Sequence, residues 1–423
     1  MACRYEALPS SPQPRGPDAI HHVASLVCDD EIESLHRVAQ ASVHSLVNPG
    51  SLRMYKAAGW ALVSLSVDPE LAEAVVAKGG LAGLMAYIQN SDVQGREEAA
   101  WALANLSAVN VNAVPMGNAG VGRVLVEILS TNTDLKVTMQ AMWALANLAV
   151  DETGKVILGD ANAVPILVMH LQRCLAQTAR GADPEQGLPI NNIISQASRT
   201  LANLAVEPSN RPRIAAAGGL SVILQAAEFP DNFVQEVSAK ALSHLSCDSC
   251  HAKDLLEIDA NNKVLTQLLR SDSTCVQHEA VLWALNLSSR HGHALIKPIV
   301  VESLVRIIAC QAVDAGQEHS ARVLCNLLRL SDHSRMDMVR FGTMTRLSRV
   351  DLSSASAELK MMCTEIMSAL GSVLTPSSRR ALLQSSLMPS GVQVGGTRIK
   401  KSQQHRKPSP LSSSVAQIPS FQA

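Results

Sequence analysis

Runs of apolar residues at helical spacing, separated by short polar and turn-forming stretches, fill most of this chain. In residues 109–150, V-P-M-G-N-A-G leads into V-G-R-V-L-V-E-I-L, then S-T-N-T-D-L-K, then V-T-M-Q-A-M-W-A-L-A-N-L-A-V. The last two apolar runs are each long enough for a helix of about three to four turns, so the unit reads as short helix, helix, longer helix. In the longest run Ala141, Leu145 and Leu148 share one face, as do Ala99, Leu103 and Leu106 one unit earlier. These predict a core stripe, with the Trp and Asn of each run lying off it.

The unit recurs. W-A-L-A-N-L occurs at Trp101–Leu106 and again at Trp143–Leu148, with degraded copies elsewhere. With its Asn as a ruler, the equivalent positions are Ser64, Asn105, Asn147, Asn203, His244, Asn286, Asn326 and Ala369, at steps of 41, 42, 56, 41, 42, 40 and 43 residues. A period near forty marks a helical solenoid, in which each unit buries its apolar face only by stacking on its neighbours. Long third helices are expected to end near Ser66, Ser107, Val150, Ala205, Ser246, Ser288, Leu328 and Gly371.

Two junctions punctuate each unit. Gly80, Gly120, Asn162, Gly219 and Asn261, with Gly342 beside Thr343, form a column of residues that tolerate a left-handed backbone, which predicts a sharp corner between the first and second helices. Near Ile299 and Val300 that corner is absent, and Pro298 offers a different bend. S-D-V at Ser91, N-T-D at Asn132 and S-D-S at Ser271 supply N-cap residues for the third helices.

Three helices per unit of about forty residues, the Gly corner and the A-L-x-N-L helix resemble the armadillo repeat. HEAT repeats, the runner-up, have two helices per unit and lack the corner. The resemblance implies an all-α, right-handed superhelical solenoid of about eight three-helix repeats across residues 20–388, with third helices lining a concave groove. Residues 30–47 supply a helix of the first unit, and 377–388 read as a final cap. The 56-residue step places an inserted polar loop near 173–189. Residues 1–19 and the Ser/Gly/Pro/Gln-rich 389–423 are expected to be disordered.

Composition narrows the function. Hydrophobic residues make up 47% of the 423 and aromatics 3%, which suits helix stacking by Leu, Ala, Val, Ile and Met. The formal charge of -1 argues against wholesale nucleic-acid binding. Five basic residues (Arg398, Lys400, Lys401, Arg406, Lys407) lie after Met388 without any acid, leaving a mildly acidic body and a basic tail. The cluster Lys400–Lys407 reads as a targeting signal, a phosphate-binding or solvating segment, or a self-ligand of the groove. An N-terminus without an apolar leader, nine Cys and no membrane-length run predict a cytoplasmic protein, with the nucleus also open to it.

The candidate function lies on the third helices. Gln140, Trp143, Asn147 and Asp151 stand in one row. Neighbouring units offer Trp60; Glu98, Trp101 and Asn105; and Gln196, Arg199, Asn203 and Glu207. An Asn carboxamide can bind both N–H and C=O of an extended peptide, and successive Trp rings make slots for Lys or Arg stems. This W-x-x-x-N arrangement resembles the groove of importin-α, which holds basic localisation signals. Farther on, the Trp column becomes Arg199, Lys240, Leu282 and Arg322, which suits an acidic partner, while Asn286 and Asn326 continue the Asn column. Trp283 stands one residue out of register.

These residues predict a protein-interaction scaffold that binds an extended peptide segment of a partner, with a nuclear-import adaptor as the alternative. The chain lacks phosphate-cradle, zincin and nucleophile-elbow strings, so neither enzymatic activity nor a cofactor is expected. Cys247, Cys250 and His251 spell C-x-x-C-H, which leaves a zinc site through the Cys247 cluster as a second alternative.

Overall fold

A computed structural model describes residues 52–181, 184–310 and 315–374. The expected helix at 30–47, the cap at 377–388 and the terminal segments 1–19 and 389–423 lie outside them. The described residues form helices and no strands. Eight long helices stand at the third position of successive units: α1 (Leu52–Ser66), α2 (Val93–Ala108), α3 (Leu135–Leu148), α4 (Pro184–Val206), α5 (Asn232–Leu245), α6 (Thr274–His291), α7 (Ala315–Leu330) and α8 (Ala357–Ser372). Each packs side by side on the next, so they form one continuous layer.

The layer forms because one stripe of every long helix is apolar and sealed. Ala99, Leu103, Leu106, Ala141, Leu145 and Leu148 are all buried, as the spacing predicts. Burying each Leu side chain stabilises by roughly 1.5–3 kcal/mol, and the stripe repeats unit after unit. Trp283 is 1% exposed and belongs to this interior, which explains its offset from the Trp column.

The corner falls on the expected residues in four units and one residue earlier in two. The left-handed corner is held by Gly79, Gly120, Asn162, Gly218 and Gly342, and by Asn261 together with Asn262. In two units it therefore falls one residue before Gly80 and Gly219. Those two glycines meet a different demand: a Cβ on Gly219 would lie 2.6 Å from the Ile214 side chain and 2.8 Å from its carbonyl oxygen. The third helices are capped by Asp92, Asp134 and Ser273, with Asp92 accepting from the Gly95 N–H at 3.0 Å. Ser91 and Asn132 instead close the helices that come before.

The insertion is helical where a polar loop was expected. The second helix of its unit runs through Ala163–Ala179, and α4 begins at Pro184 and contains Pro189. Buried Leu171 and Cys174 extend the stripe of the first, and buried Ile190, Ile193, Ile194 and Ala197 extend that of the second. This apolar periodicity outweighs the Gly and Pro signals, and among the described residues of the insertion only Gly181 takes a left-handed turn.

Candidate binding face of the third helices

Trp60, Trp101 and Trp143 are half-buried on α1, α2 and α3, three helices packed consecutively. Trp101 and Trp143 lie against the apolar core with part of each ring exposed. Four residues after each of these two comes the Asn of the ruler column. Adjacent helices thus carry Trp101 with Asn105, Trp143 with Asn147, and Arg199 with Asn203, in register.

The Asn side chains hold neighbouring repeats together. Asn105 Nδ2 donates to Ser66 Oγ at 3.1 Å, Asn147 to Ser107 Oγ at 3.2 Å, and Asn326 to Ser288 Oγ at 2.9 Å. Each Ser in turn donates to a carbonyl of its own helix: Ser66 to Val63, Ser107 to Ala104 and Ser288 to Leu285. Asn286 reaches the preceding helix differently, donating to the Ser243 carbonyl at 2.8 Å. Only Asn203, among these five, makes no side-chain hydrogen bond within the described residues. The Ser position before it is occupied by Ala149, which offers no hydroxyl.

The expected carboxylates face other tasks. Glu98 is 7% exposed and accepts from the Tyr87 hydroxyl at 2.7 Å and from Gln94 at 3.0 Å. Asp151 caps the helix Glu152–Asp160 by accepting from the Thr153 N–H at 2.9 Å, and Glu207 caps the turn Pro208–Asn210. Gln196 is buried and accepts from Arg199 at 3.4 Å, while Gln140 is half-buried.

Two cations of that column, Lys240 and Arg322, likewise stand beside acids of the chain itself. Arg322 pairs with Glu358 at 2.5 Å. Lys240 stands near Glu236 and Glu279, whose carboxyls burial pushes up while the Lys240 charge pulls them down. His244 at the ruler position is half-buried, and burial first, then the charges of Lys240, Arg211 and Lys155, push its pKa down. The imidazole is therefore neutral near pH 7.

Cys247, Cys250 and His251 do not converge. Among the described residues no three His, Cys, Asp or Glu side chains gather as a metal-binding group. Both thiols are exposed, whereas His251 is buried and turned to Asp248 at 3.5 Å. Asp248 also meets Arg211 at 3.6 Å, so this carboxylate is taken up by residues of the fold.

Sequence reasoning missed the Asn–Ser ladder and the place of His244. A Ser two residues after the ruler position, at Ser66, Ser107 and Ser288, was the available signal.

Comparison with known proteins agrees with this architecture. The Armadillo/beta-catenin-like repeat family matches residues 68–108. An engineered protein of known structure is similar over 88% of this chain and 92% of its own, at 26% identity and a TM-score of 0.65. A designed armadillo repeat protein aligns over 59% of this chain and 99% of its own, at 21% identity and a TM-score of 0.51. A structure of computationally designed armadillo repeat proteins for modular peptide recognition aligns equally well, with the same coverage, 21% identity and a TM-score of 0.51. No curated protein matches the chain by sequence. The chain shares the fold of armadillo-repeat solenoids, and its residues 68–108 match that repeat family. No single described helix is long and apolar enough to cross a membrane.

Proposed function

We propose that this protein is an interaction scaffold that holds an extended peptide segment of a protein partner along its third-helix face. The carrying observation is that Trp101 and Trp143 stand in register on packed neighbours, each with part of its ring exposed. An indole at this spacing could have been sealed in the core, as Trp283 is. Partly exposed aromatic anchors backed by a rigid apolar layer are where binding energy concentrates. The designed proteins made for modular peptide recognition share the fold, which supports a peptide ligand.

The ligand is selected more by main chain and apolar stems than by opposite charge. Glu98, Asp151 and Glu207 serve the fold, and Arg322 has its own carboxylate. A displayed random library of peptides of about twelve residues, panned on the full-length protein, tests the reading. The enriched peptides should bind the Trp101→Ala/Trp143→Ala double variant at least tenfold more weakly, with helicity retained. Enrichment of nothing, or equal binding to the variant, refutes it.

A further inference from the structure

His278 on α6 and His319 on α7 meet across a repeat boundary, with ring centres 5.7 Å apart and ring planes inclined at 59°. The two helices pack directly on each other. Both rings are half-buried, and in each the Nδ1 atom is sealed from solvent, so Nε2 is on the outer side. His319 stands in one row with Arg322 and Asn326, as Gln140 does with Trp143 and Asn147, which places the pair on the third-helix face.

The surrounding charges favour a cation. Glu279 lies close enough to His278 to feel its ring, Glu236 and Lys240 stand beside Glu279, and Glu318 precedes His319 in the chain. Glu318 accepts from the Ser356 hydroxyl at 2.6 Å, and Arg322 is matched by Glu358. Three carboxyl groups thus face a single unmatched cation, Lys240. Burial pushes the Glu236 and Glu279 carboxyls up, and added positive charge nearby would favour their ionised form.

We infer that His278 and His319 form an open site for one divalent transition-metal ion that takes nitrogen ligands, of the zinc class, bridging α6 and α7 through one Nε2 from each ring. Neutral imidazole is the commonest side-chain ligand of such ions. An ion held by two ring nitrogens at about 2.0–2.1 Å, at a near-tetrahedral angle, sets the ring centres roughly 5–6 Å apart, which is the spacing found. Among the described residues no third metal-ligating side chain gathers with them, so the other positions go to water or to a side chain of a bound partner. Because the two rings come together only when the repeats are stacked, the ion binds the folded array and stabilises it.

The site is separate from the Cys247 and Cys250 thiols and from the Trp101 and Trp143 surface, and its test needs no peptide. Zinc chloride alone is titrated calorimetrically into the full-length protein in a buffer that does not chelate metals, and thermal unfolding is followed with and without the ion. The wild type should bind zinc in the micromolar range and unfold at a higher temperature in its presence. His278→Asn and His319→Asn should each weaken binding at least tenfold and abolish the zinc-dependent rise, with metal-free midpoints near that of the wild type. The Cys247→Ser/Cys250→Ser double variant should bind as the wild type does. On the wild type itself, zinc should protect His278 and His319 from ethoxyformylation by diethyl pyrocarbonate, read by peptide mass spectrometry, which keeps the test independent of how the variants fold. Wild-type affinity in both His variants, loss of binding only in the Cys variant, or equal modification of His278 and His319 with and without zinc would each overturn the inference.

Discussion

Asn147 donates its carboxamide N–H to the Ser107 hydroxyl across the boundary between two repeats, at 3.2 Å. Ser107 passes its own proton to the Ala104 carbonyl at 2.6 Å, so the hydroxyl is an acceptor toward Asn147 and the orientation of the amide is set. A part-buried bond of this kind contributes about 1 kcal/mol. Ser107→Ala should therefore destabilise the array by about that amount, as should Asn147→Ala. Together they should cost little more than either alone, because they act on one bond. A double-mutant cycle in urea checks this, and additive losses would show that the two side chains are not coupled.

Gly218 and Gly219 illustrate two different demands at one corner. Gly218 has φ of +76° and open space around its Cβ position, so Ala there suffers only backbone strain. That strain amounts to about 1 kcal/mol. Gly219 has ordinary backbone angles, but its Cβ would meet Ile214, including a carbonyl oxygen at 2.8 Å that cannot swing aside. Gly219→Ala should cost about 1–3 kcal/mol and exceed the loss from Gly218→Ala. Thermal unfolding of the two single variants measures the order, and the reverse order would show that the corner yields more easily than its angles.

Most of the repeat architecture was legible in the sequence because W-A-L-A-N-L and its copies carry both the period and the buried stripe. The long helices end within a few residues of the expected positions, for example Ser66, Val206 and Leu245. The insertion was misread because Gly181, Pro184 and Pro189 are turn formers in isolation, while Pro184 stands at the first helical position, where Pro is tolerated, and Ile190 already belongs to the stripe. The face itself was half legible. Periodicity placed Trp101, Asn105, Trp143 and Asn147 together, but not what each side chain was bonded to. Glu98 looked like a groove carboxylate until Tyr87, eleven residues away, was seen to donate to it. Arg322 looked like a free cation because its partner Glu358 lies one repeat later.

Trp143 and Trp283 should respond to truncation in opposite ways. Trp283 is sealed in the interior, and removing a buried Trp typically costs about 3–5 kcal/mol. Trp283→Ala should lower the unfolding midpoint markedly. Trp143→Ala removes a half-exposed ring and should affect stability far less, while weakening binding of an enriched peptide by about 2 kcal/mol. Circular dichroism melts and calorimetry on both variants separate the roles, and a comparable loss of stability in the two would mark Trp143 as packing.

His170 makes stability depend on pH with a definite sign. It is buried on the second helix Ala163–Ala179, with Nε2 lying 2.9 Å from the Leu129 carbonyl of the preceding repeat. A hydrogen bond there requires the ring nitrogen to donate. Burial pushes the pKa of His170 below its ordinary 6.5, with the Arg173 charge acting the same way and the Leu129 bond opposing it. Below about pH 6.5 the unfolded chain takes up a proton that the folded chain resists, so the unfolded state binds more protons and stability falls as pH falls. The loss begins at the unfolded pKa and ends once pH lies below the depressed folded value. His244 adds a loss of the same sign. His170→Gln keeps an N–H for the Leu129 carbonyl and removes the titration. Unfolding midpoints followed from about pH 7.5 to about pH 5 should decline in the wild type and decline less steeply in His170→Gln. Parallel curves for the two proteins would show that His170 is protonated alike in both states.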